Sequence, residues 1–285
     1  MPQFSKAQLG TTPITKAYLG STLVLAAVAA VEDFEAVLST VGAASTVALL
    51  PLSGGTVTID WGDGTVVADY ALSGGAPTHD YGSSGQWTVI VTGTATQLGS
   101  TVDARWQQTV QSVQSWLGLG LESMEDAFRG CTRALSVPAA LPSSVTNMRF
   151  MFRQADAADP DVSGWDVSAV TSMRAAFRGA SAANLDVSGW DVSAVTDMSS
   201  MFRGASVANP DVALWSIPLV TDMGYWAAAT AFSDANYDAA LLNFSGQTVK
   251  PNMAFDAGSA KYTQTAARDD LIDNDLWSIT DGGAA

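Results

Sequence analysis

The chain of 285 residues carries 28 acidic and 13 basic side chains, a net charge of −15. Only 14% of its residues are charged, against about 25% in a typical soluble domain. The charge argues against a nucleic-acid partner, because affinity for a polyanion comes from neutralised phosphates. A single cysteine argues against an internal disulfide framework and a thiolate metal site. No apolar run approaches the roughly 20 residues of a membrane span, so no membrane insertion is expected.

The amino-terminal segment contains a decapeptide written twice, KAQLGTTPIT followed by KAYLGSTLVL. The tandem predicts two short strands with Gly10 and Gly20 at turns. It resembles the YLGST-type opening of phage tail and other virion proteins, which implies that Leu9, Tyr18 and Leu19 help to dock the chain on a particle. Residues 1–33 are therefore predicted to be an assembly segment, since an apolar hairpin tends to add to a partner's sheet. The alternative is an extra strand of the next domain.

An apolar stretch inside this segment, Leu23 to Val31, imitates the core of a signal peptide. The region before it is unusually long for such a signal. We therefore predict a buried strand or a linker there.

Residues 34–96 show the period-two alternation of half-buried strands, as in TVTIDWGDGTVV and HDYGSSGQWTVIVT. These stretches resemble PKD-like domains, whose WGDG turn and HxY strand are matched by Trp61, Gly62, Asp63, Gly64, His79 and Tyr81. The resemblance implies an Ig/PKD-like β-sandwich. Asp63 is predicted to form the turn, and His79, the only histidine, is predicted to be structural.

The next segment is an internal repeat. Residues 161–180 and 186–205 are identical at 16 of 20 positions, and the period is 25. Stacking such units would bury rows of equal side chains in continuous ladders. The predicted core rows are Trp165, Trp190 and Trp215, then Met148, Met173, Met198 and Met223, and finally Phe128, Phe152, Phe177 and Phe202.

These units resemble the Mycoplasma-type lipoprotein repeat of the BspA-like leucine-rich-repeat group, found in bacterial surface proteins and some phage proteins. The stretch AFRGCTRALSVPAALPSSVTNM, residues 127–148, carries the AFxxC layout of that group. The resemblance implies a solenoid over residues 97–235, with Cys131 as a packing residue. Residues 236–285 resemble the segments that come after such arrays and are predicted to cap the last ladder. Tyr237, Leu241, Leu242 and Phe244 would cover it, together with a helix over residues 263–272.

Motifs of catalysis are missing from the sequence. It contains no GxSxG, HExxH, P-loop or GxGxxG pattern, so no catalytic, cofactor or metal residues are predicted. A calcium ladder is the alternative for the repeated aspartates, although the glycine-rich acidic nonapeptide of β-rolls is absent. The aspartates are predicted to hydrogen-bond turn backbone instead.

One repeated row could contact a ligand. Arg129, Arg153, Arg178 and Arg203 follow the core phenylalanines and would align as a basic stripe on an acidic protein. Arginine forks recognise carboxylates, so the stripe is a candidate contact for acidic polysaccharide or an acidic neighbouring subunit. The alternative is that these arginines tie adjacent turns together by binding backbone carbonyls.

Together these features predict a mainly β protein with short helices that works through a surface. The expected function is that of a non-enzymatic bacteriophage virion protein: a tail fibre, tail-tip or head-decoration component. Its expected partners are other virion proteins through the amino-terminal segment, a host cell-surface glycan or protein, and further copies of itself. The alternative is a bacterial cell-surface adhesin of the BspA-like type.

Overall fold

The computed structural model describes residues 17–19, 22–25, 33–41, 46–99, 102–116 and 118–285. The chain divides into two compact regions, residues 1–32 and residues 33–285. In the amino-terminal region, strands β1 (Ala17–Leu19) and β2 (Thr22–Leu25) pair antiparallel, with Tyr18 opposite Leu23. Leu9, Gly10 and Gly20 lie outside the described residues.

The larger region, residues 33–285, begins with short strands and a 3₁₀ turn at Leu72–Gly74. The strands are β3 (Phe34–Ser39), β4 (Val47–Leu49), β5 (Leu52–Ser53), β6 (Thr56–Asp60), β7 (Val66–Ala71), β8 (Thr78–Asp80), β9 (Gln86–Gly93) and β10 (Gln97–Leu98). Helix α1 (Ala104–Thr109) and strand β11 (Val110–Trp116) follow. Five strands form an antiparallel sheet in the order β11-β3-β9-β6-β7, while β4 pairs with β8 and β5 with β10.

Strand β11 joins this sheet although its apolar residues lie three apart. Val110, Val113 and Trp116 are buried, and the pairing with β3 shifts register twice along the strand. Each irregularity adds a residue between successive core positions, which lets a period of three face one side. The sheet thus includes residues 110–116, which were predicted from the sequence to belong to the repeat segment.

Beyond β11, successive repeat units join through single parallel bridges at the repeat step. They run Ser123–Asn147, Asn147–Ser172, Ser172–Asp197 and Asp197–Asp222, and a further parallel bridge joins Ser123 to Gln97 in β10. Rings of neighbouring units stack between the bridges, with centroid distances of 5.2 Å for Phe128–Phe152, 5.5 Å for Phe152–Phe177 and 5.8 Å for Phe177–Phe202. The units therefore share one continuous core.

Tryptophan and methionine rows line the same core. Trp165, Trp190 and Trp215 are buried, and the indole N–H groups of Trp190 and Trp215 donate to carbonyls 28 residues earlier in the chain, at 3.1 and 3.0 Å. Met148, Met173, Met198, Met223 and Cys131 are also buried. Burial raises the pKa of the Cys131 thiol to about 12, so it remains a neutral packing group.

The final segment continues the parallel pairing with longer connections. Helix α2 (Asp234–Ser245) leads to strand β12 (Ala254–Asp256), and helix α3 (Thr265–Asp273) leads to strand β13 (Ser278–Thr280). Phe255 bridges to Met223, and β12 pairs parallel with β13. Helix α2 buries Tyr237, Leu241 and Phe244, but Leu242 is 54% exposed. The expected contribution of Leu242 to the cap is therefore not seen, because Leu242 lies beside the buried stripe of the helix.

The prediction of a mainly β fold with short helices is confirmed by these elements. None of the described helices has the length and apolar character needed to cross a membrane.

Candidate functional site

The candidate site is built from the turn that carries each core phenylalanine. In this turn the backbone N–H groups alternate in direction. Those of Phe150, Phe152 and Gln154 donate to carbonyls of the next unit at 2.7–3.0 Å, whereas those of Met151 and Arg153 donate three residues back. Every second peptide thus joins neighbouring units, which fixes the lateral register of the side chains between them.

Two residues of each such turn have a left-handed backbone. The first is never glycine: Asp126, Phe150, Ala175, Ser200 and Tyr225 have φ between 51° and 62°. The second is glycine in three units and Gln154 or Ala229 in two others. Left-handed φ is disfavoured for residues with a Cβ, so the hydrogen bonds between units must maintain this conformation.

We use the name arginine face for the surface formed by Arg129, Arg153, Arg178 and Arg203, by Arg149 and Arg174, and by the first left-handed row. The predicted arginine stripe lies here, at consecutive 24- or 25-residue steps. Burial lowers the pKa of the Arg153 guanidinium, and the like charges of Arg129 and Arg178 lower it further. The guanidinium groups are therefore near enough to repel one another.

The arginine face divides into a paired and an unpaired part. Arg129 lies 3.2 Å from Asp126, and Nε of Arg149 lies 3.8 Å from Glu125. Among the described residues, Arg153, Arg174, Arg178 and Arg203 have no carboxylate oxygen within 4.0 Å. Nε of Arg153 is buried without a hydrogen-bond partner, and so is Nε of Arg149, whose contact with Glu125 is longer than a hydrogen bond. These four arginines also make no side-chain hydrogen bond to a carbonyl in the described part of the chain, so the geometry offers no support for their tying turns together.

Aromatic rings lie beside two of the unpaired arginines. Cζ of Arg153 lies 5.5 Å from the Phe150 ring centroid, and Cζ of Arg203 lies 4.6 Å from that of Tyr225. Tyr225 is 58% exposed. A groove of about 310 Å³ next to this ring is lined by Arg174, Arg178, Arg203, Ser199, Ser200 and Asp222.

The aspartates of the repeats are used differently. The carboxylates of Asp161 and Asp186 each accept hydrogen bonds from the N–H and hydroxyl of the serine two residues later, at 3.1 and 2.7 Å. These bonds hold the pKa of both carboxyls below its ordinary value. Within the described residues, no group of three His, Cys, Asp or Glu side chains is arranged to hold a metal ion.

His79 lies at a second cluster, in the sheet region. Its Nε2 is 2.7 Å from Asp63, its ring stacks on Trp61 at 5.1 Å, and the Tyr81 hydroxyl donates to the Trp61 carbonyl. The hydrogen bond from His79 and the N–H of Thr65 lower the pKa of Asp63 to about 2. All of these groups hold the turn around Asp63.

Part of the arginine face was not predicted from the sequence. Arg149 and Arg174 directly follow two methionines of the core row, and Tyr225 stands three periods after Phe150. The same period that located Arg153 would have found them. Their importance depends on pairing between units, which the period does not reveal.

A protein-family model matches most of the repeat segment. Residues 122–239 match a family model described as "Mycoplasma protein of unknown function, DUF285". The match agrees with the resemblance of these units to the Mycoplasma-type repeat. No curated protein and no solved structure matches the chain.

Proposed function

We propose that this protein is a non-enzymatic attachment protein whose repeats present the arginine face to an anionic surface. The observation that carries the proposal is that Arg153, Arg174, Arg178 and Arg203 have no carboxylate oxygen within 4.0 Å among the described residues, on a chain of net charge −15. Like charges held close together are unfavourable in the free protein. Anionic groups of a ligand would relieve that repulsion and form charge-assisted hydrogen bonds.

The proposal also assigns a fold type to two segments of the chain. The repeats form a BspA-like leucine-rich-repeat solenoid, and residues 34–96 form a PKD-like sandwich. The parallel bridges at a step of 24 or 25 residues support the solenoid, and the Trp61, Asp63 and Tyr81 contacts support the PKD-like turn. A solenoid displays equal side chains in rows, so several weak contacts to a repetitive ligand can add up to strong attachment.

The proposed setting is a bacteriophage virion, in a tail fibre, a tail tip or a head decoration. Residues 1–33 would be the anchor to other virion proteins, and copies of the chain would associate there or through faces of the sandwich. The support is the duplicated YLGST-type opening together with the antiparallel pairing of β1 and β2.

A bacterial surface adhesin is the second candidate setting. The observation that favours it is the match of residues 122–239 to a family described from Mycoplasma. The arginine face would have the same task of attachment in either setting.

Immunogold labelling tests the setting. Antibody against residues 110–285 is applied to the producing culture, and gold is scored on phage particles and on cell envelopes. Label on particles supports the virion proposal, whereas label confined to intact envelopes overturns it in favour of the adhesin.

Adhesion of the purified chain to target cells tests the attachment function itself. The triple variant Arg153→Ala, Arg178→Ala, Arg203→Ala should bind far fewer cells with an unchanged melting temperature. Unchanged adhesion of a folded triple variant would contradict attachment through the arginine face.

A further inference from the structure

The groove beside Tyr225 differs from the rest of the arginine face in its mixture of groups. Three arginines, Arg174, Arg178 and Arg203, line it together with Ser199 and Ser200. The Ser199 hydroxyl already donates to Asp197 at 2.6 Å, so the Ser200 hydroxyl is the one offered to a ligand. Its volume of about 310 Å³ is at the lower end of the range for small-molecule sites. The groove is therefore large enough for part of a ligand and carries both charged and neutral hydrogen-bonding groups.

The charge of the groove is positive. Asp222 is its single acidic lining residue, and that carboxylate already accepts a hydrogen bond from the Gly224 N–H at 2.8 Å. Arg178 and Arg203 belong to adjacent units, whose backbones are joined by the 2.8 Å hydrogen bond from Gly179 N–H to the Arg203 carbonyl. Two guanidinium forks on neighbouring units thus border one space.

Tyr225 supplies a flat wall. Its ring is 58% exposed and is oriented by the Arg203 guanidinium, 4.6 Å from the ring centroid. An exposed aromatic face with a cation on one side offers an apolar surface and a polar rim. Such a wall packs well against the C–H face of a pyranose ring.

We propose that this groove binds a carboxylate-bearing saccharide unit, with Arg178 and Arg203 contacting the carboxylate, the Ser200 hydroxyl contacting a sugar hydroxyl, and Tyr225 stacking on the sugar ring. This inference rests on the proposed attachment function and names the ligand class for it. A polyuronate fits better than an acidic peptide, because a peptide would not need the exposed ring beside the Ser200 hydroxyl. A polymer of such units would extend along the unpaired arginines towards Arg153.

The test uses the full-length chain and titration calorimetry at low salt. The probes are an oligogalacturonate of defined length, its methyl ester of the same length, and poly-glutamate. We expect the oligogalacturonate to bind and the ester to bind at least about tenfold more weakly, because the ester lacks the charge that the arginines contact.

The chain itself provides conservative variants. Tyr225→Ser copies Ser200, and Arg203→Ala copies Ala228, which occupy the equivalent positions one unit away. We expect Arg203→Ala to weaken the binding of both polyanions, and Tyr225→Ser to weaken that of the oligogalacturonate by about tenfold but not that of poly-glutamate. Lys250→Ala removes one exposed positive charge outside the groove lining and should change neither.

Two results would overturn the saccharide assignment. One is equal binding of poly-glutamate and oligogalacturonate with no effect of Tyr225→Ser, which would identify an acidic protein as the partner. The other is the absence of oligogalacturonate binding by the folded chain. If cell adhesion still depends on the arginines, the attachment function survives either result; if oligogalacturonate binds but adhesion is independent of the arginines, only the attachment function fails.

Discussion

Two arginines lie over tyrosine rings at the same distance but in different surroundings. Cζ of Arg268 is 4.6 Å from the Tyr262 ring centroid in the carboxy-terminal segment, and Cζ of Arg203 is 4.6 Å from that of Tyr225 in the repeats. Nε of Arg268 also donates to Asp281 at 2.7 Å, and that carboxylate is only 6% exposed. Arg203 has no carboxylate within 4.0 Å among the described residues.

Arg268 is used to stabilise the protein, whereas the Arg203 guanidinium remains available to a ligand. Asp281 accepts hydrogen bonds from Arg268, from the Tyr237 hydroxyl and from the Gly283 N–H, and so joins α2 and α3 to the last strand. Among the described residues, Arg203 makes no ion pair that joins elements in this way. An arginine that lies over an aromatic ring can therefore have either role. The presence or absence of a carboxylate partner shows whether the arginine stabilises the fold or is available to a ligand.

The largest effect is expected at the paired site. Asp281→Ala removes three hydrogen bonds and leaves the largely buried Arg268 guanidinium unpaired, so the free energy of unfolding should fall by about 3 kcal/mol. Asp281→Asn should cost less, because the amide oxygen can still accept. Urea unfolding measures both. A loss below about 1 kcal/mol for Asp281→Ala would mean that the pair contributes no more than an exposed one.

Lowering the pH should reduce the contribution of Asp281 to the free energy of unfolding. Burial would raise the pKa of Asp281, but hydrogen bonds from Arg268, Tyr237 and Gly283 lower it to a net value below the ordinary one. A lowered pKa contributes stability that is complete above the unfolded-state value, about 3.9, and is lost as pH falls through the folded-state value. Stability curves between about pH 6 and about pH 3 should therefore fall less steeply for Asp281→Asn than for the unchanged chain. Identical slopes would contradict a contribution from Asp281.

Sequence periodicity predicted the repeated rows because equal residues recur at equal steps. It located Phe152, Phe177 and Arg178 without any structure. It could not predict which arginines are paired, because Glu125 and Arg149 meet only when neighbouring units are stacked. Strand β11 was missed for a different reason: its two register shifts convert an apolar spacing of three into a strand, and the sequence carries no separate signal for such shifts.

Removing Arg203 should change the free energy of unfolding much less than removing Asp281. Arg203→Ala loses a cation–aromatic contact at an exposed ring and also relieves repulsion between like charges, so the free energy of unfolding should change by about 0.5 kcal/mol or less. Arg268→Ala provides the matched comparison and should cost about 2 kcal/mol more, because Asp281 is left buried without its cation. Equal losses in urea unfolding would remove the distinction between the two arginines.

The smallest stability effect should come from giving Arg203 a partner. Ser200→Asp places a carboxylate three residues before Arg203, as Asp126 stands before Arg129, and the left-handed backbone at residue 200 matches that of Asp126, with φ of 57° against 62°. An exposed pair of this spacing should add about 0.3 kcal/mol to the free energy of unfolding. The same carboxylate would occupy the Arg203 guanidinium and repel an anion, so oligogalacturonate binding should fall although the fold is slightly more stable. Ala182→Asp adds an equal charge at an exposed turn outside the groove lining and should leave binding nearly unchanged. If both variants weakened binding equally, net charge rather than the availability of Arg203 would govern recognition.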